Sequence, residues 1–123
     1  MENKNVIIFE ADEIRPQDNP VTKPITGTLF EQVLLDDPDT GMTAAKIIYP
    51  AGFNVPLHTH HCGHGYYILK GTLITSEGNY GPGSFVWFKE GAQMVHGAGD
   101  EPVEAFVFAN KPFDLTFVSD DNK

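Results

Sequence analysis

The sequence predicts an all-β fold, a small antiparallel barrel or jelly-roll sandwich, and three features carry that expectation. Twelve glycines and nine prolines punctuate short runs rich in Val, Ile, Phe, Tyr and Thr, the pattern of strands joined by tight turns. No segment repeats its apolar residues at a helical period. Nine Phe, four Tyr and one Trp supply bulk for the single core that 123 residues can build.

Strands are expected, in order, at Val6 to Phe9, Thr28 to Leu35 and Met42 to Tyr49, then a short piece running into His58. Further strands are expected at Tyr66 to Lys70, Thr72 to Ser76, Ser84 to Phe88, Met94 to Gly97, Val103 to Ala109 and Leu115 to Val118. Turns separate them at Asp36 to Gly41, Pro50 to Gly52, Ser76 to Asn79 and Gly81 to Gly83, where Asn, Asp and Gly start turns or accept positive φ. Residues 10–27, with three prolines and mixed charge, read as an arm over the barrel or a neighbouring subunit rather than a strand pair. The domain reading is therefore an N-terminal strand and arm over 1–27, a β domain over 28–118, and a flexible acidic tail over 119–123.

Composition narrows the function. One cysteine excludes an internal disulfide framework and suits a reducing cytoplasm, the expected location. No apolar run approaches the length of a membrane span, and the N-terminus lacks the features of a signal peptide. A net charge of -9 disfavours phosphate backbones and anionic lipid, so neither nucleic acid nor membrane is an expected partner.

Chemistry concentrates in the histidines, four of which fall between positions 58 and 64. An expression tag would be a terminal homopolymer, whereas this run is interior, interrupted and followed by Tyr66-Tyr67-Ile68-Leu69. A strand places residues two apart on one face, so His58 and His60 can aim two neutral imidazoles together. His64 shares their parity and is a third candidate ligand, with His96 a fourth from a strand opposite. His61 has the wrong parity and reads as a surface or hydrogen-bonding residue. Cys62 reads as a small packed residue, since nothing marks it as a thiolate.

Residues 52 to 71 resemble the first motif of the cupins: Gly52, five residues, His58, one residue, His60, three residues, His64, six residues, Gly71. His64 departs from the family, which usually carries glutamate there. The segment Tyr80 to Gly91 resembles the start of the second cupin motif, with Lys89 in place of its usual proline. The family's next histidine follows that last glycine by three positions, where this chain has Met94, and His96 comes two later. Because 94 and 96 share a strand face, an extended turn after Gly91 can bring His96 to the metal; alternatively Met94 lines the pocket and His96 lies deeper or nearer the rim. His96 is the favoured ligand, because imidazole suits first-row metals and thioether softer ones.

The resemblance, spanning about residues 42 to 110, implies a cupin-like β-barrel holding one divalent metal at His58, His60, His64 and His96. Four neutral imidazoles leave the ion's charge uncancelled, which favours anionic ligands. Iron(II) is the first choice, since all-histidine cupins include dioxygenases, with manganese, nickel, copper and zinc also fitting. The expected function is an iron(II)-dependent dioxygenase or related oxidoreductase acting on a small chelating organic acid or diketone. A non-catalytic metal-dependent sensor or binding protein, or a metal-assisted lyase or isomerase, is the alternative.

No free-standing catalytic base is evident. Tyr66 and Ile68 share the parity of His64, and either Phe85 with Trp87 or Val86 with Phe88 completes the lining. Tyr66 is the candidate catalytic residue, as a hydrogen-bond donor to a bound oxygen species, although buried tyrosines commonly only pack. Gln93 reads as a turn residue, with hydrogen-bond donation to a metal ligand as its alternative, and Glu104 as part of a solvated strand face. Aromatic residues on both parities (Phe85, Trp87 and Phe88; Phe106 and Phe108) exceed what one interior hides and predict a homodimer, as the resemblance also implies.

Overall fold

The computed structural model describes residues 5–23, 25 and 27–118. Two antiparallel sheets face one another in a jelly-roll sandwich, without closing into a continuous barrel. Their strands are β1 (Pro20–Val21), β2 (Leu29–Asp36), β3 (Thr43–Tyr49), β4 (Asn54–Thr59), β5 (His64–Lys70), β6 (Leu73–Thr75), β7 (Gly78–Tyr80), β8 (Phe85–Phe88), β9 (Met94–Ala98), β10 (Val103–Ala109) and β11 (Thr116–Phe117). The six-stranded sheet runs β1-β2-β3-β10-β5-β8 and the five-stranded sheet β11-β4-β9-β6-β7. Two 3-10 turns, Ala11–Glu13 and Pro16–Asp18, are the helical elements among the described residues, and none is long and apolar enough to cross a membrane.

Alternation fixes which side chains meet between the sheets. On the six-stranded sheet, the registers Glu31↔Ile47↔Ala105↔Ile68 and Ala109↔His64↔Phe88 put those side chains on the inner face. Val55, Leu73, Met94 and Ala98 answer them from the five-stranded sheet, and these residues with Ile47, Tyr49, Tyr66, Ile68 and Val103 form the core. Phe88 is buried and Val86 packs against the core, whereas Phe85 and Trp87 face outward; the second of the two pairs is the inward one, although neither of its members lines the cavity.

Three elements differ from expectation. Val6 to Phe9 forms no strand and lies exposed, because no sheet edge pairs with it. The edge beside β2 is taken instead by the arm, which supplies β1 through Pro20↔Phe30 and Val21↔Leu29. The turn expected over Ser76 to Asn79 is tighter: Thr75 Oγ1 accepts from the amides of Glu77 (3.0 Å) and Gly78 (3.1 Å) and donates to Gly78 O (2.8 Å). That closure lets Gly78–Tyr80 pair back on β6 as β7. The expected acidic tail lies outside the described residues.

Candidate metal centre

A bulge in β4 creates the first half of the site. Val55 pairs with His96 but His58 pairs with Met94, so three steps on β4 match two on β9. The extra residue falls at Pro56-Leu57, which are exposed, and it returns both Val55 and His58 to the interior despite their opposite parity. The bulge leaves Pro56 O 2.6 Å from His58 Nδ1. His58 donates there, which fixes Nε2 as a bare acceptor aimed inward.

His60 lies just beyond the end of β4, and its Nδ1 donates to Asp114 O, so its Nε2 is likewise free. His96 projects from β9 with Nε2 3.1 Å from His58 Nε2 and Nδ1 3.2 Å from the Tyr49 hydroxyl. The ligand atoms of His58, His60 and His96 fall within 4.8 Å of one another, a set that does not include His64. His64 comes from β5 on the opposite sheet, its ring 4.1 Å from that of His60 and 5.9 Å from that of His96. It converges by facing the others across the sandwich, since the chain changes sheets between Thr59 and His64 and parity does not carry through that break. Met94, the competing ligand, packs in the hydrophobic core.

All four imidazoles are buried, and burial is the leading cause that pushes each below the ordinary histidine range, His64 to about 3. They are therefore neutral at physiological pH, the form that ligates metals. His60 Nε2 and both nitrogens of His64 have no hydrogen-bond partner. Leaving such groups unmatched in the interior costs about 1–3 kcal/mol each. The His58–His96 pair points the same way: two Nε2 atoms at 3.1 Å match the spacing of about 3 Å between nitrogens that each sit about 2.1 Å from a shared ion. These residues fit a divalent transition metal.

Tyr66 closes the inner side. It is buried, its hydroxyl 2.8 Å from that of Tyr49 and 3.1 Å from His96 Nε2. Burial raises both phenols, which stay protonated and able to donate. A cavity of about 370 Å³ opens against His60, Tyr66 and His96; aliphatic side chains such as Ile25, Leu29, Ile47 and Val107 make up much of its wall, with Lys23 and Asp114 also on it. The same wall carries a carboxylate missed in the sequence: Glu31 of β2. Its signal in the sequence was weak: an acid two residues after Leu29, sharing that residue's strand face.

The other singled-out residues lie elsewhere. His61 is exposed and grips Asp114, whose carboxylate accepts from both the His61 amide (2.6 Å) and Nδ1. Cys62 is buried and its thiol is pushed up by burial, as a packed residue should be. Gln93 is exposed, and Glu104 lies on the outer sheet face between Lys46 and Lys70, 3.7 Å from each.

Comparison with known proteins agrees with this architecture. No curated protein matches the chain by sequence. An acetylacetone dioxygenase from Acinetobacter johnsonii superposes with a TM-score of 0.74 at 18% identity, over 100% of this chain and 83% of its own. The polyketide cyclase RemF from Streptomyces resistomycificus gives 0.62 at 21%, over 76% of this chain and 74% of its own. Rhodobacter sphaeroides SigE in complex with the anti-sigma ChrR gives 0.60 at 16%, over 71% of this chain and 48% of that one. At such identities the likeness is one of fold. The sequence model of the ChrR cupin-like domain matches residues 14–114, and with the jelly roll and its buried histidines this places the chain in the ChrR cupin-like family.

Proposed function

We propose that this cupin is an iron(II)-dependent dioxygenase, or a related oxidoreductase, acting on a small chelating diketone or organic acid, with His58, His60, His64 and His96 as the metal ligands. The observation that carries the reading is that two of the clustered buried histidines, His60 and His96, open onto a largely apolar cavity of about 370 Å³, a size suited to a small organic molecule. The acetylacetone dioxygenase fold likeness supports the same reading. Manganese, nickel, copper or zinc fits the same donors. A bound ion would supply Lewis acidity and, if iron, one-electron exchange with oxygen.

The chain's own groups do the rest. The aliphatic wall excludes water and accepts the substrate's alkyl portions, while Tyr66, held by Tyr49, offers its hydroxyl proton to a substrate oxygen beside His96. Oxygen uptake on mixing iron-loaded protein with acetylacetone and with small chelating acids tests the proposal. Uptake with any of them is the expected result; its absence from metal-replete protein overturns the oxygenase reading.

The family match and the likeness to a ChrR complex favour one second reading, a metal-dependent small-ligand sensor without turnover. Ligand binding without oxygen uptake or product would establish it, whereas an altered ligand without oxygen consumption would mark a lyase or isomerase. The protomer is further proposed to pair with a second copy through the outer face of the six-stranded sheet, where Phe85 (60% exposed), Trp87 and Tyr67 cluster near the open edge of β8. Sedimentation showing only a 13.6 kDa species at micromolar concentration would refute the homodimer.

A further inference from the structure

Glu31 stands out among the acidic residues. Most line the surface or pair with a cation, but Glu31 sits on the inner face of β2, directly across from Ile47 and one diagonal step from Tyr49. Side chains so related lie about 5 Å and about 7–8 Å apart at Cβ. Tyr49 reaches from there to His96, with its hydroxyl 3.2 Å from Nδ1. The carboxylate thus shares one cavity with His60, Tyr66 and His96. It is half-buried, and among the described residues its side chain makes no hydrogen bond or ion pair. Its strand neighbour Gln32, pointing outward, is by contrast fully engaged with Arg15 N and Glu13 O. Leaving a carboxylate against Ile25, Leu29 and Ile47 without a partner is unfavourable for folding, and a group retained at such a cost is a candidate for chemistry.

We infer that Glu31 is the general base of this cavity, accepting the acidic C–H proton of a neutral 1,3-dicarbonyl ligand whose oxygens lie at the histidine cluster. This rests on the site reading proposed above and specifies it. In the step, the bond between hydrogen and the carbon flanked by the two carbonyls breaks. The proton goes to a Glu31 carboxylate oxygen, and the electron pair moves into the O–C–C–C–O system to give the enolate, so no oxidant or reductant is needed. Burial, the cause that raises the Glu31 carboxyl, makes it a better proton acceptor than a surface glutamate. The wall's composition selects the ligand class. Its aliphatic groups suit the alkyl ends of a diketone, and with Glu31 and Asp114 set against the single cation Lys23 the wall disfavours the extra negative charge of a dicarboxylic acid.

The test uses full-length zinc-loaded protein, which is redox-inert, with 3-methylpentane-2,4-dione in D2O under argon. Proton NMR follows exchange of the single C3 hydrogen, and calorimetry in buffers of different ionisation heat counts protons released on binding. Wild type is expected to bind the diketone, accelerate exchange, and release little proton because Glu31 retains it. E31Q should bind within about threefold yet lose 100-fold or more of the exchange rate, the usual contribution of a general base. It should also release to the buffer the proton it can no longer hold. E31D, shorter by one methylene, should recover part of both, and circular dichroism of the two variants checks folding. Unchanged exchange and proton release in E31Q with binding intact would overturn the role of Glu31 alone. Failure of zinc-loaded wild type to bind the diketone would overturn the diketone form of the site reading and this inference with it.

Discussion

Replacing His64 by leucine should stabilise the metal-free protein and at the same time abolish most of its stabilisation by metal. His64 is 0% exposed, and neither ring nitrogen has a partner. A neutral imidazole there leaves one donor and one acceptor unmatched, at about 1–3 kcal/mol each. Leucine removes both groups at similar volume, and repacking against Phe88 and Phe113, 5.4 and 5.9 Å from the imidazole centroid, costs less than about 1.5 kcal/mol. The net gain is about 2 kcal/mol, or roughly 8 °C in Tm for a domain of this size. Metal acts in the opposite direction, since an ion present at about 1,000 times its Kd stabilises wild type by about 4 kcal/mol. A variant short of one imidazole would gain far less. Scanning calorimetry of EDTA-stripped protein and of the same samples titrated with zinc should therefore show the two melting curves exchanging order. A stripped His64→Leu protein that melts at or below wild type, or one that gains as much from zinc, would refute the assignment of His64 as a ligand held unsatisfied for the ion.

The metal-free protein should lose stability as pH falls. Burial lowers the folded-state values of His58, His60, His64 and His96, so their stabilising effect is complete above the unfolded value of about 6.5 and declines below it, by up to about 1.4 kcal/mol per pH unit for each group. Urea midpoints that stay level from roughly pH 7 to pH 5 would contradict this. His64→Glu, which installs the commoner cupin ligand, should favour manganese relative to copper and lower the potential of a bound iron couple, because the added anion stabilises the higher charge. Competition binding and redox titration read both, and no change in either would remove His64 from the shell. Gly97→Ala should cost about 2–3 kcal/mol in chemical denaturation, since its Cβ would stand 2.1 Å from Phe53 O and 2.7 Å from Asn54 Cα and would push β9, with His96, away from β4. Wild-type stability in that variant would show that the β4–β9 contact yields easily.

The candidate ligands are more legible in the sequence than the geometry that unites them. Spacing was enough to single out His58 and His60, and imidazole chemistry was enough to prefer His96 over Met94. The bulge at Pro56-Leu57 was not readable, because its cause is a register mismatch with β9 rather than a local preference. His64 was selected by parity, yet it reaches the cluster by facing it from the other sheet. Val6 to Phe9 has strand composition without a strand, since an edge partner is a tertiary property. Glu31 escaped notice for a related reason: an acid in a strand reads as solvent-facing until the opposite residue, here Ile47, is known.

The segment after β10 bears on how long an ion would reside. Asn110 N donates to Gly63 O (3.0 Å) and Gly63 N to Asn110 Oδ1 (2.9 Å), Asp114 holds His60 and His61, and Phe113 covers the rings of His60 and His64. One irregular stretch thus secures His60 and covers His64, while His58, His64 and His96 themselves belong to paired strands. Opening that stretch would release His60 and uncover His64 together, leaving a three-imidazole remnant open to solvent from which the ion is more easily drawn. Exchange with a chelator would then run at the opening frequency of this loop, so that thermodynamic affinity and residence time are set by different parts of the chain.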